Sequence, residues 1–322
     1  MWIWNNMETK VMRDVLIEQV YQRMHDNKDI FFLCADFGSP KLDKLKNDFK
    51  DRFINVGIAE QNLINVSTGL ALEGFTVFCY AIAPFLTMRA YEQIRINLSL
   101  HAQLREVNVN LVGVGAGLSY DVSGPTHHCL EDITIMKVLP NVEVFSPSDW
   151  MLAKGYVDYC LKVKKPKYIR LDGKPLPRIY NSENGFKFSQ GFSELKKGKK
   201  LCLVSTGIMT HKALQVAKIL NQENIDIGVM DVFLIKPLNE ESFMKALKKY
   251  QAVITLEEGF INNGGLDSCV LQLINRKGAR IKFKNMGFAQ RYVFDIGSRD
   301  YLHKLNKLDE GSIIKNIRGL LK

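Results

Sequence analysis

Short runs that are apolar on successive residues, alternating with stretches of helical period, constrain this chain more than any other feature. IFFLCADF, FINVGI, TVFCYAI, VNVNLVGVGAG, VEVFSPS and KYIRLD are such runs. Helices are predicted over 8–27, 59–73, 84–101, 130–139 and 149–164 around and between them. A strand that is apolar on both faces must be covered on both, and strands joined through helices pair in parallel. The alternation resumes with LCLVSTG, DIGVMDVF, AVITLEEG and IKFKNMGF, with helices over 210–223, 239–250 and 265–275 and further helices at the end. Residues 172–200 are rich in Gly, Pro, Asn, Ser and Lys, hold no steady period and read as a linker. The expectation is an α/β protein of two doubly wound, mainly parallel-sheet domains, 1–185 and a smaller 186–322.

A content of 46% hydrophobic and 24% charged residues fits a globular chain, not a disordered or fibrous one. The net charge of +10 suits nucleic acid, an acidic partner or phosphorylated small molecules alike. The basic runs KVKKPK and KKGKK lack the interleaved aromatics that stack on bases, so they read as solvated faces and no nucleic-acid partner is expected. Cys34, Cys79, Cys129, Cys160, Cys202 and Cys269 offer no spacing for a metal site, and several sit in apolar runs as small hydrophobes. That pattern suits a reducing cytoplasm. MWIWNNMETK lacks the features of a secretory leader, and no apolar run reaches the length of a membrane span, so no membrane association is expected.

The stretch FINVGIAEQNLINVSTGLALEG places the carboxylate of Glu60 at the mouth of a segment of apolar, small and amide residues. In open parallel sheets ligands sit beyond the carboxyl ends of the strands, where Glu60 falls. The helix that follows, with Leu63, Ile64, Val66, Leu70 and Ala71, has little polar face. Two roles suit an acid placed there. It can favour the helix N-terminus through the macrodipole, or it can be a buried acid of the kind a reaction uses, in which case it needs a partner. The loop SYDVSGPTHHCLED places His127 and His128 between a strand and a helix start; adjacent histidines point different ways and do not chelate one metal together.

GIAEQN, GLALEGF, FLTMRAYEQIR and GLSYDVSGPTHHCLEDITIMKVLPNVEVFSPSD, in this order, resemble the C-terminal half of transketolases, and more closely the smaller subunit of transketolases split into two chains. LIKPL and LEEGFINNGGL extend the resemblance into the second domain. It implies a pyrimidine-binding domain followed by the family's C-terminal domain, thiamine diphosphate as cofactor, and transfer of a two-carbon ketol unit between phosphorylated sugars. Glu60 matches the glutamate that hydrogen-bonds the ring nitrogen of the aminopyrimidine and shifts its amine toward an imine that takes up the thiazolium proton. Phe85 matches the ring on which the pyrimidine stacks. Ile82 and Met88 stand where many transketolases carry further aromatics. His127 matches the histidine facing the substrate oxygens, with His128 and Asp121 in the same loop. Arg13 and Ser39 match the pair that holds the substrate phosphate.

Two departures concern the sugar. Where the family often carries another phosphate-binding arginine, this chain reads RLDGKP, leaving Arg170 or Lys174 as substitutes, and a histidine expected near GVGAGL is missing. Asn262 and Asn263 look like the end of the family's GDG to NN motif for magnesium and diphosphate, but no GDG precedes them. The resemblance therefore implies that Mg2+ is bound mainly by an N-terminal partner subunit carrying that motif, in a heterotetramer of two pairs. Alternatives within the same fold are a subunit like 1-deoxyxylulose-5-phosphate synthase, one like the 2-oxo acid dehydrogenase beta chain, and a non-catalytic binding subunit.

Overall fold

The computed structural model describes residues 8–182 and 185–321, which fall into two compact units. Most of the N-terminal segment read for a leader lies outside the described residues. The first unit takes in residues up to Ala116, Ile135–Phe145 and 149–182; the second takes in Gly117–Thr134, Ser146–Ser148 and 185–321.

In the first unit the chain runs β1 (Thr9–Val11), α1 (Met12–Asp26), β2 (Ile30–Cys34), α2 (Leu42–Asp48), β3 (Phe53–Asn55), α3 (Glu60–Leu72) and β4 (Thr76–Ile82). A helical segment containing α4 (Tyr91–Gln93) leads to β5 (Val109–Val114). After α5 (Asp132–Val138) come β6 (Glu143–Phe145), α6 (Trp150–Lys162), β7 (Lys167–Leu171) and β8 (Pro175–Pro177). Strands β6, β7, β5, β4, β2 and β3 lie side by side in that order, all parallel. Phe32, Phe78, Leu111, Tyr168 and Ile169 are fully buried, as strands apolar on both faces require. A side chain of this kind contributes on the order of 1.5–3 kcal/mol when fully buried.

The chain leaves β2 for β3 on one side and then crosses to β4 on the other, so direction switches at the carboxyl end of β2. Such a point opens a crevice for ligands.

Three local features depart from the sequence expectation. The helix expected over 8–27 begins only at Met12, because Thr9–Val11 pair antiparallel with Pro175–Pro177. Two prolines in β8 suit a two-stranded edge pair, where the missing N–H groups cost nothing. α2 forms where no helix was expected; it spans seven residues, too few to establish a period. The helix expected over 84–101 is π-helical over Phe85–Arg89 and Ile94–Leu100.

The second unit contains β9 (Phe192–Lys196), β10 (Leu201–Ser205), α7 (Ile208–Gln222), β11 (Gly228–Val232), β12 (Leu234–Lys236) and α8 (Glu240–Leu247). It continues with β13 (Ala252–Phe260), α9 (Leu266–Arg276), β14 (Lys282–Phe288), α10 (Arg299–Leu305) and α11 (Glu310–Leu321). Its sheet has the order β14, β13, β10, β11, β9, parallel except for β9. Leu203, Ile254 and Leu256 from the sheet pack with Met209, Val216 and Leu220 of α7 and Ile313 and Ile317 of α11. β9 lies within the stretch read as a linker. Only Phe192 of its five residues is buried, so the strand carries almost no apolar signal. Among the described residues no helix is long and apolar enough to cross a membrane.

Candidate active site

Local polar chemistry fixes the start of α3. Asn55, at the end of β3, accepts hydrogen bonds through Oδ1 from the Gly57 N–H (3.0 Å) and the Asp36 N–H (3.1 Å), and its Nδ2 donates to Asp36 Oδ1 (3.0 Å). Gly57 has φ +74°, a conformation most side chains avoid. This brace joins the loops after β2 and β3 and sets Glu60 as the first residue of α3.

Glu60 is 3% exposed, and its Oε2 lies 2.6 Å from Nη1 of Arg89. The Arg89 guanidinium in turn sits over the Phe85 ring, 5.0 Å from its centroid. Phe85 and Arg89 are the two ends of the π-helical turn after β4, a local geometry that recurs at functional sites. A buried carboxylate and an aromatic face thus flank one flat hydrogen-bonding group. A ring that both hydrogen-bonds and stacks, such as an aminopyrimidine, fits this pair of side chains. Arg89 is the partner that Glu60 demanded, and the sequence reading missed it. The requirement for a cation near a buried acid was the one signal for it, but 29 residues separate the two. Ile82 closes β4 and is half-buried; Met88 is 39% exposed.

Arg13 and Ser39 also come together. Arg13 Nε donates to Asp14 Oδ1 at 2.8 Å, and Ser39 Oγ donates to the same oxygen at 3.0 Å. Asp14, which sequence reasoning did not single out, also borders a cavity of about 480 Å³ lined by Lys10, Lys41, Trp150 and Lys154. Arg170 is buried in β7, opposite Gly113 of β5, whereas Lys174 follows the strand with its N–H held by Asp172 Oδ1 at 2.8 Å.

The remaining residues expected at the site belong to the second unit. His128 is buried, with Nε2 3.4 Å from the Asp121 carbonyl oxygen, and burial pushes its pKa below the usual histidine range. The Asp121 carboxylate accepts the Arg299 N–H at 2.7 Å and the Val122 N–H at 2.9 Å. These two residues brace the loop. His127 is half-buried, with Nδ1 3.0 Å from Thr126 Oγ1 and its N–H donated to the Gly124 carbonyl at 3.0 Å. α5 starts only at Asp132, so a helix dipole, effective over about one turn, does not reach His127.

The two glutamates of LEEGFINNGGL are structural anchors that the sequence did not reveal. Glu257 accepts the N–H groups of Leu266 (2.9 Å) and Asp267 (2.8 Å), closing the start of α9. Glu258, fully buried, accepts the Leu118 N–H at 3.0 Å and lies 2.5 Å from His303 Nε2 and 3.2 Å from Arg299 Nε. Burial raises its carboxyl, but the Arg299 guanidinium and the His303 hydrogen bond outweigh that and bring it down to about 2. Asn262 and Asn263 serve the turn before α9: Asn262 has φ +64° and donates its N–H to Asp267, and Asn263 Nδ2 donates to the Ile261 carbonyl. Among the described residues no group of three His, Cys, Asp or Glu side chains could hold a metal ion.

A parallel α/β unit with a buried acid and an aromatic ring beyond the carboxyl ends of its strands, followed by a second α/β unit, defines a two-unit α/β protein with a candidate ligand site. Residues 8–177 match the family described as "Transketolase, pyrimidine binding domain", and 192–313 match "Transketolase, C-terminal domain". The chain belongs to the transketolase family. It is 34% identical over 304 residues to an apulose-4-phosphate transketolase subunit of Actinobacillus succinogenes, covering 94% of this chain and 96% of that one. It is 30% identical to human transketolase over 301 residues, 92% of this chain but only 47% of the human protein. Among solved structures, "Split gene transketolase, inactive beta4 tetramer" superposes with a TM-score of 0.84 at 29% identity, covering 97% of this chain and 98% of that one. The chain thus spans nearly the whole of the apulose-4-phosphate transketolase subunit and about half of human transketolase.

Proposed function

We propose that this chain is the pyrimidine-binding subunit of a two-chain, thiamine diphosphate-dependent transketolase that moves a two-carbon ketol unit between phosphorylated sugars. The observation that carries this reading is the burial of Glu60 at the carboxyl edge of the first sheet, beside Phe85 and within a chain of the transketolase family. When bound, thiamine diphosphate supplies an acidic carbon–hydrogen bond and a sink for the electrons of the broken carbon–carbon bond. Glu60, buried at the first turn of α3, would hold the ring through a hydrogen bond from its carboxyl group to the ring nitrogen. Phe85 would offer the ring a stacking face, with Ile82 and Met88 as apolar neighbours. His127, on its braced loop, donates a hydrogen bond to the substrate oxygen next to the reacting carbon. Arg13 and Ser39 bind the substrate phosphate as a planar fork and a hydroxyl, and Asp14 keeps the pair aligned.

The diphosphate and its Mg2+ belong on an N-terminal partner subunit bearing GDG and NN, in a heterotetramer. Two findings support that division: the apulose-4-phosphate transketolase subunit of matching length, and the solved relative described as an inactive beta4 tetramer. The test is to mix this chain with the N-terminal subunit from the same genome, add thiamine diphosphate and Mg2+, and analyse products from ketose phosphates and from pyruvate. Ketol transfer from ketose phosphates by the mixture only is the expected result. Turnover of pyruvate without ketol transfer would place the chain with the synthase or dehydrogenase enzymes instead.

A further inference from the structure

Arg89 engages both of the side chains that the functional reading gives to the pyrimidine ring. Its Nη1 meets the Glu60 carboxylate at 2.6 Å, and its guanidinium covers the Phe85 ring at 5.0 Å. A guanidinium is flat, stacks on aromatic faces and hydrogen-bonds in its own plane, as an aminopyrimidine does. We infer that Arg89 is a built-in stand-in for the cofactor ring: it holds the Glu60–Phe85 site in shape in the unloaded chain and must withdraw before the ring can enter. This inference rests on the functional reading above.

The two partners are unequally placed for such an exchange. The Glu60 side chain is 4% exposed and that of Arg89 48%. Glu60 is the buried first residue of α3, whereas Arg89, half exposed, reaches its carboxylate from the solvent side on a long flexible stem. Its charged end can return to water with little loss, because an exposed cation stays solvated. What Arg89 leaves behind is a dry acid beside an aromatic ring, and a buried acid that has lost its cation strongly favours any replacement partner. The apparent affinity for the cofactor ring is then lowered by the fraction of chains in which Arg89 is home.

The experiment compares the wild-type chain with Arg89→Met, which keeps the stem and loses the fork, each assembled with its partner subunit. Thiamine diphosphate affinity and thermal midpoints, with and without cofactor, are the readouts. A stand-in predicts that Arg89→Met lowers the midpoint of the unloaded assembly, leaves that of the loaded assembly unchanged, and tightens cofactor binding by about threefold or more. An ordinary structural ion pair would instead lower both midpoints equally. That outcome, or weaker cofactor binding, would overturn the inference. Arg89→Lys keeps the charge but not the plane, protects folding if Met does not, and is expected to tighten binding by a smaller factor in the same direction. Glu60→Gln separates the two readings. If it changes neither cofactor affinity nor turnover, the functional assignment fails, and the role of Arg89 fails with it. If it impairs both while the Arg89 variants bind no tighter, only the stand-in is wrong.

Discussion

Buried titratable residues set how this chain responds to pH. His211 Nε2 lies 2.7 Å from the Ser148 carbonyl oxygen, and burial brings its pKa down from 6.5 to about 4. The folded chain therefore refuses a proton that the unfolded chain accepts, and stability falls as pH drops from 6.5 toward 4. The loss reaches up to roughly 3 kcal/mol at the acid end of that window. Glu258 acts lower down: its stabilisation is complete above 4.5 and is lost as pH falls toward about 2. Urea midpoints measured across this range should fall steadily below neutrality, and His211→Gln should flatten the upper part of the curve. A wild-type curve that is level between pH 6.5 and 4 would refute the His211 assignment. At this scale the sequence identified which residues were unusual in type and position, such as Glu60, but not what they touch. Arg89, Asp14 and Arg299 became visible only when the fold brought distant segments together, since a pairwise contact leaves no periodic trace in sequence.

Helices and strands depend on a few polar anchors. Asp149 caps α6 through Oδ1 on the Leu152 N–H at 3.0 Å, and its Oδ2 takes the N–H groups of Ile179 (2.6 Å) and Tyr180 (2.9 Å). It thus ties the start of α6 to the segment after β8. Asp149→Ala should cost about 2–3 kcal/mol in chemical denaturation, the sum of a lost cap and orphaned buried donors. Asp149→Asn should recover part of that through its own acceptor; a loss below about 0.5 kcal/mol for Ala would show that water replaces the carboxylate. Elements with a strong period were legible in the sequence. α1, α3, α6, α7 and the apolar strands β2, β4, β5, β10 and β13 follow the expected alternation. What escaped was short or polar: α2, the β1–β8 pair and β9. Their formation is decided by the neighbours they pair with and not by their own composition.

For the whole molecule, the gap that was legible in the sequence is the most consequential. The chain builds two α/β units and covers 47% of human transketolase, and its sequence holds no GDG ahead of Asn262 and Asn263. The chain by itself is expected to bind thiamine diphosphate poorly and to show no ketol transfer at any Mg2+ concentration. Saturable tight binding by the isolated chain would contradict the division of labour between subunits. The central claim rests on one carboxyl group, and steady-state turnover of the assembled enzyme with Glu60→Gln tests it most directly. A fall in kcat of about 100-fold or more is the predicted result, the scale on which a proton-handling group acts. Undiminished turnover would contradict it.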